Sequence, residues 1–172
     1  YSRVLDWSPS DQEDGSFTLE LQETELEFRQ HQGGQQPFYH FAINIPSNKL
    51  EEAREWLKER VSLLWLDDYQ SDIAEFTNWN ARSVYFLDPA GNIVELIARF
   101  DLDNTSDAPF SASQFISVSE VGLVVPSSEM ELKAEQVLSD FGLSWFSKQP
   151  PLETFKAIGD DEGLFIVVPE HR

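Results

Sequence analysis

The chain has 172 residues, 31 acidic side chains against 12 basic ones, and no cysteine. This length suits one domain, or one domain with a further fragment, and hydrophobic and aromatic fractions of 41% and 13% argue against intrinsic disorder. A net charge of -19 argues against binding to nucleic acid or anionic lipid, because both would repel the chain. The absence of cysteine excludes disulfides and thiolate chemistry. No apolar run approaches the ~20 residues of a membrane span and no signal peptide is recognisable, so we expect a cytoplasmic protein.

The first thirty residues predict the end of a structural unit. Residues 1–7, which begin with Tyr1, look like the last turn of a helix that runs into a strand. Alternating polar and apolar residues predict strands over 16–21 and 25–29, joined by a short hairpin turn. We therefore expect the chain to begin inside a repeating unit whose first strand lies upstream of Tyr1.

A strand and a helix open the next unit. Residues 38–45 alternate, so that Phe41, Ile43 and Ile45 share one face and His40 lies on the other. Pro46 ends the strand, Asn48 can cap a helix, and the apolar residues from Leu50 to Val61 recur at helical spacing. Three strands are then predicted over 62–70, 83–87 and 93–99, with a tight turn at 88–92.

The same order returns after a linker over 101–114. A strand over 116–125 ends at Pro126, and Ser128 with Glu131 forms a capping box for a helix that stops at Gly142. Further strands are predicted over 143–146, 155–158 and 164–168. Aligning Pro46 with Pro126 superimposes the two units.

The repeat is a βαβββ module. One such module cannot cover both faces of its sheet, so modules pair and leave a concave surface opposite their helices. The sequence thus predicts an α+β fold of paired modules, with a curved mixed sheet, a concave cleft and the helices on the outer face. We expect a paired-module domain over 1–100, whose first module lacks its N-terminal strand, the linker over 101–114, and an additional single module over 115–172.

Two side chains are expected to converge in the cleft. His40 and Glu95 both lie opposite the apolar residues that pack under the helix, and an imidazole with a carboxylate can bind Fe(II), Mn(II), Ni(II) or Zn(II). Two ligands are too few for a tight site. Ser83 and Tyr85 share the Glu95 face, and with Trp79 and Asn80 they are candidates for binding substrate. An ordinary strand histidine, a solvated glutamate and plain packing are the alternative interpretations.

Two segments carry a resemblance to a known family. Residues 38–43, and residues 84–96 with the turn Asp88-Pro89-Ala90-Gly91-Asn92 before a strand that carries Glu95, resemble the vicinal oxygen chelate superfamily. That group includes glyoxalase I, extradiol ring-cleaving dioxygenases and bleomycin-resistance proteins. The likeness is strong over 38–99, moderate over 1–30 and weak over 115–172.

The resemblance implies a metal site shared by paired modules. Family ligands come from the first and last strands of each module, which adds Glu27 to His40 and Glu95 and places a further ligand upstream of Tyr1. Two histidines with one carboxylate would match non-haem iron oxygenases, whereas a set that includes Glu27 would look more like glyoxalase I. In the last module Glu120 aligns with His40 and Val167 with Glu95, so we expect no metal there.

The leading functional prediction is a divalent-metal-dependent enzyme of this type. It would act on a small molecule chelated through adjacent oxygens, as a dioxygenase or a glyoxalase-like lyase, with Glu95 as a ligand or a proton-transfer group. The alternative is a metal-free protein that sequesters a small drug, as bleomycin-resistance proteins do; a third interpretation is a module without chemistry. An unpaired last module further predicts a homodimer.

Overall fold

A computed structural model describes residues 5–11, 15–33 and 38–170. Within these residues the first strands form a small antiparallel sheet of β1 (Ser10–Asp11), β2 (Phe17–Glu20) and β3 (Glu25–Phe28). The predicted hairpin is therefore confirmed. Residues 1–4 of the predicted helix end lie outside the described residues.

The remaining strands form one seven-stranded sheet with two helices. Its elements are β4 (His40–Ile45), α1 (Leu50–Lys58), β5 (Ile73–Phe76), β6 (Ala81–Leu87), β7 (Ile93–Arg99), β8 (Ser117–Val125), α2 (Met130–Phe141), β9 (Lys156–Gly159) and β10 (Leu164–Pro169). The strand order is β5-β6-β7-β4-β8-β10-β9, with β4–β7 and β8–β10 parallel and the other pairs antiparallel. This curved mixed sheet confirms the predicted α+β fold of paired βαβββ modules.

The outer face of the sheet forms the core under α1. Phe41, Ile43 and Ile45 of β4 are buried against Leu50 and Leu57 of the helix, as their alternation predicts. The small sheet packs into the same core. A separate core under α2 takes the equivalent face of β8, β9 and β10. The side chains of the opposite, concave face are thereby left to line a cavity.

The partner of the middle module differs from the prediction. β4 pairs with β8, so the modules 38–99 and 115–169 share one sheet, whereas β1–β3 form a sheet of their own. The expectation that residues 1–30 supply the partner was therefore wrong, because the open edges of β4 and β8 satisfy each other's backbone groups. The division into domains at 100 and 115 stays a prediction.

Short segments account for the other differences. The stretches 62–70 and 143–146 form isolated bridges, such as Trp145 to Ile158, and the strand that follows the first stretch is β5. Asn48 bonds the backbone of Ser106 in the linker and does not cap α1. α2 follows a 3-10 turn without a side-chain cap, but it ends at Gly142 as predicted. In the described residues we find no helix long and apolar enough to cross a membrane.

A β-bulge in β8 lies directly beside its carboxylate residue, Glu120. Ala42 of β4 lies opposite Glu120 and Ile43 lies opposite Val118, so Ser119 is an extra residue in the ladder. The pairs His40–Gly122 and Ala42–Glu120 are in regular register, so Glu120 lies on the same face as His40. The bulge comes directly before Glu120 and shifts the alternation of the residues that precede it.

Candidate metal centre

The concave face encloses a cavity of about 370 Å³. Its walls are mostly apolar and aromatic, and its polar groups are confined to one region. Trp79 packs edge-on against Phe146, with ring centroids 5.3 Å apart, which brings the two ends of the curved sheet together. The lining residues used below are Phe76, Trp79, Tyr85, Phe155 and Ile166.

Three potential ligands meet at this cavity, and we call them the ligand cluster: His40, Glu95 and Glu120. Each offers one ligand atom, and these atoms all lie within 4.8 Å of one another. Nε2 of His40 lies 3.3 Å from Oε2 of Glu95. Both carboxylates are buried. One imidazole and two carboxylates are a donor set that suits a divalent transition metal.

The three side chains come from neighbouring strands at the centre of the sheet. β4 carries His40, and on either side of it β7 carries Glu95 and β8 carries Glu120. Glu95 lies between Val94 and Leu96, which both pack into the core under α1, so its own side chain faces the cavity. The predicted convergence of His40 and Glu95 is therefore present in the structure.

A backbone contact fixes the orientation of the His40 ring. Nδ1 of His40 lies 3.2 Å from the carbonyl oxygen of Ile93. Because a carbonyl can only accept, Nδ1 carries the proton of this hydrogen bond and Nε2 of a neutral ring keeps its lone pair. Histidines that bind metals commonly donate their other ring N–H in this way.

The electrostatics of the cluster depend on its burial. Burial opposes a charge on His40, but the hydrogen bond and negative charge of Glu95, followed by the charge of Glu120, raise its pKa above the usual value. Burial and the charge of Glu95 also raise the pKa of Glu120, against the opposing charges of Arg99 and His40. Two carboxylates this close repel each other, so a cation placed between them is stabilised.

Arg99 is the cation that the chain itself supplies. It lies at the end of β7 with no solvent exposure, and its Nη2 donates to Oε1 of Glu120 at 2.6 Å. Its Nε donates to Oγ of Ser119 at 3.0 Å. Oε1 of Glu95, in contrast, is buried without a hydrogen-bond partner among the described residues. This unpartnered oxygen fits a bound cation, because burying a charged oxygen without a partner is costly.

In the second module, Ile166 occupies the position equivalent to Glu95 of the first module. Ala42, two residues after His40, pairs with Glu95, and Gly122, two residues after Glu120, pairs with Ile166. The prediction that Val167 corresponds to Glu95 was therefore wrong by one residue. Val167 packs in the core under α2, whereas Ile166 lines the cavity. The expectation of no metal in the second module stays a prediction, but its Glu120 belongs to the cluster of potential ligands.

Glu27 is not brought to the cluster. It accepts two hydrogen bonds from Arg29, at 2.7 and 3.0 Å, on β3 of the small sheet. It shares with His40 a cleft of about 470 Å³ between β3 and β4, but its carboxylate is not among the atoms that converge. The small sheet does not occupy the position of a paired module, which removes the alignment on which Glu27 was predicted.

The four predicted substrate-binding residues divide into two pairs. Trp79 and Tyr85 line the cavity. Ser83 is fully buried beside them in β6, and Asn80 is exposed and donates to Asp101 at 2.6 Å. Neither Ser83 nor Asn80 is part of the cavity wall. A role in substrate binding for Trp79 and Tyr85 stays a prediction.

Solved structures share this architecture. A candidate dioxygenase from Bacillus subtilis aligns with a TM-score of 0.65 and 15% identity, over 100% of this chain and 59% of its own. Glyoxalase I from Zea mays aligns with a TM-score of 0.53 at 15% identity, over 98% of this chain and 60% of its own. A point mutant of the maize enzyme gives 0.59 at 15% identity, over 98% of this chain and 61% of its own.

The chain has the vicinal oxygen chelate fold. It spans about three fifths of the length of these solved structures. No family model and no curated protein matches its sequence. The vicinal oxygen chelate likeness predicted from residues 38–43 and 84–96 is therefore confirmed at the level of the fold.

Sequence reasoning missed Glu120 and Arg99 as members of the site. A signal for Glu120 was present, since it is the one charged residue in the strand Ser117–Val125 and aligns with His40. Arg99 likewise ends a strand whose other residues, apart from Glu95, are apolar, and it lies on the same face as Glu95. What the sequence did not show was that β4 and β8 are neighbours.

Proposed function

We propose that the chain belongs to a divalent-metal-dependent enzyme that acts on a small molecule through two adjacent oxygens of that molecule. The observation that supports it is the convergence of His40, Glu95 and Glu120 at an apolar cavity, with one Glu95 oxygen buried and unpartnered. His40 Nε2 and one oxygen from each glutamate would hold the ion. Iron, manganese, nickel and zinc all accept this donor set.

The ion would supply Lewis acidity, which polarises adjacent oxygens and stabilises an enolate or catecholate as it forms. The chain's own residues prepare the surroundings. The aromatic walls exclude water, which strengthens electrostatic interactions inside the cavity. Burial, followed by the charge of Glu95, raises the pKa of Tyr85 well above its usual value, so its hydroxyl stays protonated. That hydroxyl lies beside Ser83 and Glu95, from where it can donate a hydrogen bond to Glu95 or to a substrate oxygen.

A carboxylate of the cluster is the candidate for moving a proton. Oε1 of Glu95 has no hydrogen-bond partner among the described residues, and it borders the cavity. This oxygen can either join the ligands of the ion or accept a proton from a carbon next to the chelated oxygens, which is the step that a glyoxalase-like lyase needs. A dioxygenase would use the same residue only as a ligand. The observed set of one histidine and two glutamates differs from the two-histidine, one-carboxylate triad of non-haem iron oxygenases.

A metal-free binding protein is the second candidate. Arg99 already pairs with Glu120, and His40 already pairs with Glu95, so the cluster can balance its charge without an ion. The aromatic walls formed by Phe76, Trp79, Tyr85 and Phe155 would then bind a flat or cationic molecule.

Elemental analysis of the purified protein separates the two candidates. We expect about one Fe, Mn, Ni or Zn ion per chain, lost in His40→Ala and retained in His31→Ala, because His31 is an exposed histidine outside the cluster. Equal, negligible metal content in all three proteins, with the unfolding free energy of His40→Ala unchanged, would reject the enzyme and favour the binding protein.

The homodimer and the cytoplasmic location stay predictions. The homodimer was predicted because the last module had no partner, and β4 now supplies that partner within the chain. We expect light scattering to give the mass of two chains, with the second copy associated through another surface.

A further inference from the structure

The environment of Arg99 links the ligand cluster to the rest of the second module. Its guanidinium is fully buried and contacts Glu120 and Ser119 through different nitrogens. It also lies 5.4 Å from the centre of the Trp79 ring, which lines the cavity. Arg99 therefore contacts a member of the cluster and a wall of the cavity without lining the cavity itself.

The bulge at Ser119 makes the double contact with Arg99 available. In a regular strand Ser119 and Glu120 would point to opposite faces, and one guanidinium could not bond both. Because Ser119 is the inserted residue, both side chains lie within hydrogen-bond distance of Arg99, at 3.0 and 2.6 Å. The fork of a guanidinium suits two acceptors in fixed positions, which a lysine ammonium cannot match.

We propose that Arg99 is a positioning residue for the metal site: it holds Oε1 of Glu120 so that the other oxygen of this carboxylate faces His40 and Glu95 as the third ligand. The inference rests on the proposed function, because it requires that the cluster binds an ion. Arg99 acts through Glu120 and does not touch the substrate. The half-buried Asp161, 3.6 Å from Nη1 of Arg99, pairs with the guanidinium from its other side.

A second basic residue in the same network of ion pairs, Lys148, offers a matched control. Lys148 bonds Asp101 at 2.6 Å and also pairs with Asp161, so it carries the same charge in the same network. It does not contact Glu120. A loss of charge alone would therefore be reproduced by Lys148→Met, whereas a loss of positioning would not.

Titration of the metal-free protein with Co²⁺ tests the proposal. Calorimetry measures the affinity, and the visible absorption of the ion reports its coordination. We expect Arg99→Met to weaken Co²⁺ binding by about 10- to 100-fold, as removal of an outer partner of a ligand commonly does. The absorption spectrum should also change, because Glu120 loses its fixed orientation. Lys148→Met should keep both the affinity and the spectrum of the native protein.

Two further variants keep the test decisive if Arg99→Met does not fold. Arg99→Lys keeps the charge but not the fork, so we expect a weaker and spectrally altered site. Ser119→Ala removes only the Nε acceptor, so we expect a smaller loss of affinity of the same kind. Tighter Co²⁺ binding by these variants would show that Arg99 competes with the ion. Unchanged affinity and spectra would show that Arg99 does not position Glu120. Either result would overturn the proposal. Failure of the native protein to bind Co²⁺ would reject the proposed function itself.

Discussion

The two modules of the sheet have the same order of elements but contribute unequally to the site. The module over 38–99 provides His40 and Glu95, whereas the module over 115–169 provides Glu120 and has Ile166 at the position equivalent to Glu95. Both modules place a first-strand and a last-strand residue at the cavity. The shared topology therefore fixes where ligands can lie, and the residue at each position decides whether one is present.

The modules also differ in how their helices end. α1 ends at Glu59 in right-handed helical geometry, whereas α2 ends at Gly142 with φ of 64°. The first module instead carries an ion pair between Arg54 of α1 and Asp72, at 2.7 Å. The two helices are thus stabilised by different local interactions.

The largest expected effect distinguishes the two faces of β10. Val167→Glu places a charge in the core under α2, and we expect it to lower the unfolding free energy by about 3–5 kcal/mol. Ile166→Glu places the same charge in the cavity beside the cluster, where a metal ion can neutralise it. Urea denaturation with and without Co²⁺ checks this: the ion should stabilise both variants through the intact ligand cluster, but it should stabilise Ile166→Glu more, because that variant adds a carboxylate to the site. The same gain in Val167→Glu would contradict the assigned register.

The next effect compares the carboxylates of the two modules. We expect Glu95→Gln and Glu120→Gln each to weaken metal binding at least ~100-fold, because each removes a charged ligand atom and not merely an outer partner. Calorimetric titration with Co²⁺ measures both. Glu162→Gln removes an exposed carboxylate from the second module and serves as the control. Should Glu120→Gln behave like the control, the second module does not share in the site.

The fold was largely predictable from residues that repeat. The alternation of Phe41, Ile43 and Ile45 established the face of β4, and the turn before Glu95 established the resemblance. The pairing of β4 with β8 was not predictable, because strand edges carry no side-chain signal for their neighbour. The bulge at Ser119 was hidden for a related reason, since one inserted residue breaks the alternation by which faces are assigned.

A smaller loss of stability is expected from a substitution at the end of α2, where the two helices differ. Gly142→Ala places a Cβ on a left-handed backbone, so we expect the unfolding free energy to fall by ~1 kcal/mol. Urea denaturation measures the loss. Gly163→Ala is the matched control, because a Cβ there meets no atom within 4 Å. Equal stabilities of the two variants would show that the α2 end does not depend on glycine.

The smallest effect concerns the ion pair of the first module. Burial opposes the charge on Asp72, but the hydrogen bond and charge of Arg54 outweigh it and lower its pKa. A lowered pKa stabilises the fold above the pKa of the unfolded chain, and the stabilisation is lost as the pH falls through the folded value. We expect Asp72→Asn to cost less than ~1 kcal/mol at pH 7 and nothing near pH 2. Urea denaturation at both pH values checks this, and a constant difference would contradict it.

The position of Glu120 along the sequence has a consequence for biosynthesis. A ribosome makes His40 and Glu95 before it makes β8, so a nascent chain that stops in the linker carries only two of the three potential ligands. Under the proposed function, strong ion capture would wait until β8 docks on β4, a contact between distant parts of the sequence that forms slowly compared with local ones. Metal loading during translation would then report that the two halves have assembled.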